Sequence, residues 1–146
     1  MLIPTCLIKF CELVLTVACL TLHHYSYDVT DVPTLMLCSG TYVGYVVVLS
    51  GEIVGEAVSA AADAYIDAWW SGAGSFLFAS CGGFTLHWWR DIPPCPRRSF
   101  AQATAMCALV NAMLLFIDSL IAICSAHKED GSTITRTNNK IPKSTI

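Results

Sequence analysis

Charge is what this chain has least of. Asp, Glu, Lys and Arg together make up 13% of its 146 residues, against roughly 25% in an ordinary soluble domain. The eight Lys and Arg residues are dispersed or confined to the C-terminal tail, so the basic stripe of a nucleic-acid-binding protein is missing. Nucleophile elbow, P-loop, Rossmann glycine pattern and H-E-x-x-H are all absent, and the chain is read as a non-enzyme without a cofactor. It has no N-x-S/T site, no low-complexity run and no repeat of fixed period. Eight cysteines are present but no C-x-x-C, so a zinc or thioredoxin-type site lacks its spacing. Cys6, Cys11, Cys19, Cys38, Cys81 and Cys107 fall in apolar stretches and only Cys95 in a connection, which argues against a disulfide scaffold. His23, His24, His87 and Cys95 converge on one outer face in this reading. Interface histidines account for them, and no metal site is assigned.

What is present is apolar: 55% of the residues are hydrophobic. Two Trp-Trp doublets, Trp69-Trp70 and Trp88-Trp89, bracket an uncharged run of small and apolar residues. On a helix their separation is roughly 28 Å, close to the roughly 30 Å hydrocarbon thickness of a bilayer. Indole rings favour the headgroup boundary, so the four tryptophans are expected to act as interface anchors. Three further stretches match a membrane span in length, giving spans at about 2–22, 35–54, 68–88 and 100–124. Each is near twenty residues and none alternates polar with apolar, so the spans are helices rather than barrel strands. The expected fold is all-α: an integral membrane four-helix antiparallel bundle forming one domain, 1–124. Lys9 and Glu12 interrupt the first stretch and nothing basic precedes it, so it reads as a retained span rather than a signal peptide.

The connections are polar. Residues 23–33 carry Asp28 and Asp31, and 52–67 carry four acidic residues among many alanines, as if a helix emerged into water and turned back. Residues 89–99 hold Pro93, Pro94 and Pro96, which end any helix. The tail, 125–146, is polar and without aromatics, and is expected to be disordered. With Lys9 it holds five of the basic residues, while Arg90, Arg97 and Arg98 lie opposite. The positive-inside rule then places both termini in the cytoplasm, although the acidic connection 52–67 lacks basic residues.

Lys9, Glu12 and Asp118 are the costly positions. An ionisable group inside a span costs roughly 2.5–3.5 kcal/mol on insertion scales and usually faces protein with a partner. Counted from the same membrane face, Lys9 and Asp118 sit at similar depth, so they are expected to pair across the first and fourth helices. Glu12 follows Lys9 on the same face, and Asn111 shares a side with Asp118. The structural account is an ion pair that fixes helix order; the functional one is a polar path for an ion or proton.

Small residues suggest packing faces. Gly40, Gly44, Gly51 and Gly55 form two G-x-x-x-G pairs in the second span. Ser71, Ser75, Ala79 and Gly83 recur every four residues in the third, with Gly72, Gly74 and Gly82 nearby. Such ridges let backbones approach in lipid, and packing inside the bundle is the expected use. Cys124, at the cytoplasmic end of the fourth span, is a candidate for S-palmitoylation. The terminal Ser144-Thr145-Ile146 has the form of a PDZ ligand, with the hydroxyl of Ser144 two positions before an apolar last residue, Ile146.

The segments "IKFCELVLTVACLTLHHYSYD", "SGTYVGYVVVLSGEIVGE", "DAWWSGAGSFLFASCGG" and "VNAMLLFIDSLIA" resemble small insect four-span proteins of the MARVEL-like and Snakeskin type, over about residues 6–125. The resemblance implies a component of membrane apposition or of septate cell junctions, with no catalytic residues. Claudins differ by a long first outer segment with a W…G-L-W…C…C pattern, and tetraspanins by a large cysteine-rich outer segment. The function expected from the whole is the organisation of membrane or cell-junction assemblies in the plasma membrane. Helix packing and the tail would do this with other junction membrane proteins and a PDZ-domain scaffold. The alternative is a small transporter or channel subunit using Lys9, Glu12 and Asp118.

Overall fold

A computed structural model describes residues 2–26, 30–60 and 62–139, and the side chains of all of these except 2–4 and 135–139. Four helices account for nearly all of them: α1 (Leu2–His24), α2 (Val32–Ala57), α3 (Ala64–Trp89) and α4 (Pro96–Asn139). Three, within α1, α2 and α4, are long and apolar enough to cross a membrane. The 26 residues of α3 match α2 in length, but α3 is not one of these three.

Local chemistry sets the boundaries. Helix α2 starts three residues before the expected span because Asp31 caps it, accepting a hydrogen bond from the Thr34 amide at 3.3 Å, and Pro33 sits in its first turn, where no amide donor is needed. Its C-terminus closes by a Schellman arrangement. Ala60 N–H donates to the Gly55 carbonyl at 2.8 Å and Ser59 N–H to that of Glu56 at 3.1 Å. Ser59 takes the left-handed conformation this demands, φ 57°. Between α3 and α4, Arg98 reaches back to the Ile92 carbonyl at 2.6 Å.

The helices run antiparallel in a closed ring. Each packs on its sequence neighbours and α1 packs on α4, most extensively between α3 and α4 and least between α2 and α3. Cross-helix pairs fix the directions. Along α3, Ala68, Ser71 and Ser75 meet Ser119, Asp118 and Ala112 of α4 in descending order. Along α1, Lys9 and Thr16 meet Asp118 and Asn111. One end of the bundle therefore carries the α2–α3 connection, and the other carries the connections 25–31 and 90–95.

The interior is filled by Phe78 with Tyr42 and Tyr45, whose ring centroids lie 5.6 and 5.5 Å from that of Phe78, with Leu49, Leu115 and the free cysteines Cys19, Cys38 and Cys81 around them. Alanines at 101, 105, 108 and 112 give α4 a narrow buried stripe. The bulky apolar side chains point outward instead: Phe10, Val14, Met36, Val47, Phe76, Phe84, Met113 and Phe116 are all exposed.

Two expectations need correction. Residues 125–139, expected to be disordered, continue α4 without a break. Ala126 is buried, and Asp130 accepts a 2.7 Å hydrogen bond from the Tyr65 hydroxyl, so the extension is braced against α3. That bond favours the neutral phenol and raises the pKa of Tyr65. Residues 140–146, with Ser144 and Ile146, lie outside the described residues.

The glycine ridges also turn differently. Gly40, Gly44 and Gly51 face outward, with nothing within 4 Å of where a Cβ would stand, and Gly55 serves the terminal turn of α2. In α3, Ser71 and Ser75 face inward while Ala79 and Gly83 are exposed. A four-residue step overshoots one helical turn by about 40°, so three such steps rotate a ridge by about 120°. The close approaches belong to Gly74 and Gly82. A Cβ on Gly74 would stand 2.5 Å from Tyr45 Cε1, and one on Gly82 would stand 2.8 Å from Leu109 Cγ. The bare face of Gly74 lets the Tyr45 hydroxyl reach the Trp70 carbonyl at 2.9 Å.

Candidate functional site

All four helices send a charged side chain to one point near the α2–α3 end. Lys9 lies on the inward stripe of α1, formed by positions 9, 12, 16, 19 and 23, and is only 2% exposed. Its ammonium group has three N–H donors. It stands 2.7 Å from Asp118 Oδ2 of α4, 2.7 Å from Asp67 Oδ1 of α3 and 3.1 Å from Ser71 Oγ. Glu52 Oε2 of α2 is 3.0 Å away, an ion-pair distance without hydrogen-bond alignment. Ser71 bridges two members of the group, donating to Asp118 Oδ2 at 2.7 Å. One buried cation thus holds a carboxylate from each of the other three helices.

Glu12 lies one turn deeper and is fully buried. It faces the charges of Asp118, Lys9, Glu52 and Asp67, yet neither of its oxygens has a hydrogen-bond partner among the described residues. Beyond it the polar ladder ends in two uncharged groups. Asn111 donates to Thr16 Oγ1 at 3.0 Å, and Thr16 donates to the Glu12 carbonyl at 2.7 Å. The Asn111 Oδ1 acceptor is also buried without a donor. Further on, the buried polar side chains among the described residues carry no formal acid or base other than His23, which sits 3.2 Å from Ser39 and edge-on to Tyr42. His87 is exposed, and among the described residues no group of three His, Cys, Asp or Glu is placed to hold a metal ion.

Two clefts open at the same end. One, of about 390 Å³, is lined by Lys9, Glu52, Glu56, Asp67 and Trp70 among others. The other, of about 330 Å³, is lined by Thr5, Asp67, Asp118 and Glu129 among others. Both reach the Lys9 network; Glu12 lines neither.

Of the residues singled out from the sequence, Lys9, Asp118, Glu12 and Asn111 come together inside the bundle. Glu52 and Asp67 were assigned to a water-facing connection, but they turn back to Lys9. The missed signal is their position within one turn of the apolar spans, on the same end as Lys9. It also explains why this connection has acidic residues and no basic ones. Of the interface anchors, Trp69 is 71% exposed and Trp70 and Trp88 are about half exposed. Trp89 is instead buried, with its indole N–H 3.4 Å from Thr30 Oγ1 at the opposite end of the bundle. Cys124 is exposed on α4. No family model, curated protein or solved structure matches the chain.

Proposed function

We propose that the chain is a non-enzymatic multi-pass membrane protein of the plasma membrane, with both termini cytoplasmic, that organises membrane or cell-junction assemblies through helix packing and its tail. In this reading all four helices cross the bilayer. Helix α3 carries no Asp, Glu, Lys or Arg between Asp67 and Arg90 and presents Phe76 and Phe84 outward, as a lipid-facing helix does. Its length and antiparallel packing match those of its neighbours.

The observation that carries the proposal is the division of the interior. Lys9, Glu12 and Asp118, the buried side chains of formal charge among the described residues, gather in one half. The other half is closed by Tyr42, Phe78, cysteines and alanines. Among the described residues the formal charges stop within one half, and the buried polar side chains beyond them are hydroxyls, Asn111 and His23, so the interior offers no continuous charged route for ions. The connections 25–31, 58–63 and 90–95 are too short for a folded adhesive domain, so contact with another cell would run through partners. Candidate partners are other junction membrane proteins, and a PDZ scaffold engaging Ser144 and Ile146.

The buried Lys9 network with its two clefts favours a second reading, a transporter or channel subunit. Epitope-tagged protein in polarised epithelium, paired with ion flux into liposomes holding the purified protein, separates the two. Enrichment at lateral borders with no flux is the expected result. Diffuse surface or vesicular staining together with flux that Asp118→Asn abolishes would overturn it.

A further inference from the structure

The Lys9 network has too few donors and too few positive charges for its acceptors. Its one ammonium faces four carboxylates, Glu12, Glu52, Asp67 and Asp118. Fully ionised, the group would carry +1 and −4, a net −3. All three N–H donors of Lys9 point at Asp67, Ser71 and Asp118, so none remains for Glu12. Glu12 is 0% exposed with both oxygens unpartnered, and Asn111 Oδ1, joined to its backbone carbonyl through Thr16, and Glu52 Oε2 are further buried acceptors without a hydrogen-bond donor. A carboxylate ion in that position has lost its water and gained no hydrogen bond, which costs several kcal/mol. The missing component must be both cationic and a hydrogen-bond donor. A metal ion would need a set of ligands that the described residues do not assemble. A proton needs only the carboxylate.

We infer that Glu12 is a proton-binding site, occupied when the bundle is closed and loaded from the end that carries the α2–α3 connection. A proton from water in the two clefts forms an O–H bond on the Glu12 carboxylate, and the network goes from −3 to −2. Nothing else is consumed or released. The groups facing the site from each helix are Lys9 on α1, Glu52 on α2, Asp67 on α3 and Asp118 on α4. Lys9, Glu52, Asp67 and Asp118 line the clefts and Glu12 does not, so Glu12 holds its proton behind them. Access comes from one end only, because the far half of the core is closed. The site therefore stores a proton rather than passing it across. This inference rests on the membrane reading above but not on the junction role.

The test is infrared spectroscopy of the full chain in lipid nanodiscs at neutral pH, with glutamate carrying carboxyl-¹³C. The wild type should show the carbonyl stretch of a protonated, slowly exchanging carboxylic acid. The label should shift it, marking a glutamate rather than an aspartate. Glu12→Gln should lose the band completely, and Glu52→Gln should keep it. No such band in reconstituted wild type, a band insensitive to the label, or a band surviving Glu12→Gln each overturns the inference. Loss of the band in Glu52→Gln would also overturn the inference, which keeps the test decisive where Glu12→Gln does not assemble. Failure of the wild type to enter nanodiscs would instead count against the membrane reading.

Discussion

The two halves of this bundle are built from the same four helices by opposite means. At the α2–α3 end the helices are joined by charge, with Lys9 reaching Glu52, Asp67 and Asp118. Away from that end they are joined by shape, with Tyr42, Tyr45 and Phe78 packed against alanines and cysteines. Packing of the second kind is forgiving, since apolar side chains of similar volume can slide past one another. The first kind is not. A buried ion pair gives little net stability over an apolar replacement, but removing one partner leaves a buried charge uncompensated. Only one axial setting of the four helices brings the ammonium to all three carboxylates, so the charged half fixes register while the apolar half supplies bulk cohesion.

The sharpest way to break this division is Lys9→Met, which leaves three carboxylates facing each other. We expect a loss of about 3–5 kcal/mol, read as lowered resistance to denaturant in mild detergent. A loss below about 1 kcal/mol would mean that the charged half does not hold the helices. In the shape-built half and at its border, two glycines one helix apart give a finer contrast. Gly74→Ala forces a methyl group against the Tyr45 ring and should cost about 1–3 kcal/mol. Gly44→Ala meets nothing within 4 Å and should stay within about 0.5 kcal/mol of wild type. Equal effects at the two sites would contradict the facing of α2. A change of opposite sign is expected outside both halves, in the left-handed turn after α2. Ser59→Gly removes the penalty of a Cβ in that conformation and should stabilise the protein by about 1 kcal/mol, measured by the same unfolding curves.

The sequence was most readable where a rule acts along a single helix. Apolar runs of about twenty residues marked the helices, Pro93 to Pro96 marked the break before α4, and counting from a shared membrane face brought Lys9 level with Asp118. It was least readable where a result depends on rotation about a helix axis or on a neighbour. A strict four-residue glycine ridge looks like a packing face on paper, yet it winds around the helix. The buried stripe of α4, with alanines at 101, 105, 108 and 112, follows the true 3.6-residue period and carried less obvious emphasis. Likewise, Trp89 differs from Trp88 only by a rotation of about 100°, which turns it from the surface into the interior.

By itself, then, the order of residues determined the number of helices, their lengths and the presence of costly ionisable groups within them. These follow from chain length, hydropathy and the price of isolating charge. Which carboxylates serve Lys9, which one is left without a donor, and which glycines admit a neighbour were decided only by the assembled bundle. Those outcomes depend on distances between segments far apart in the chain, and no local pattern encodes such distances until the helices have packed.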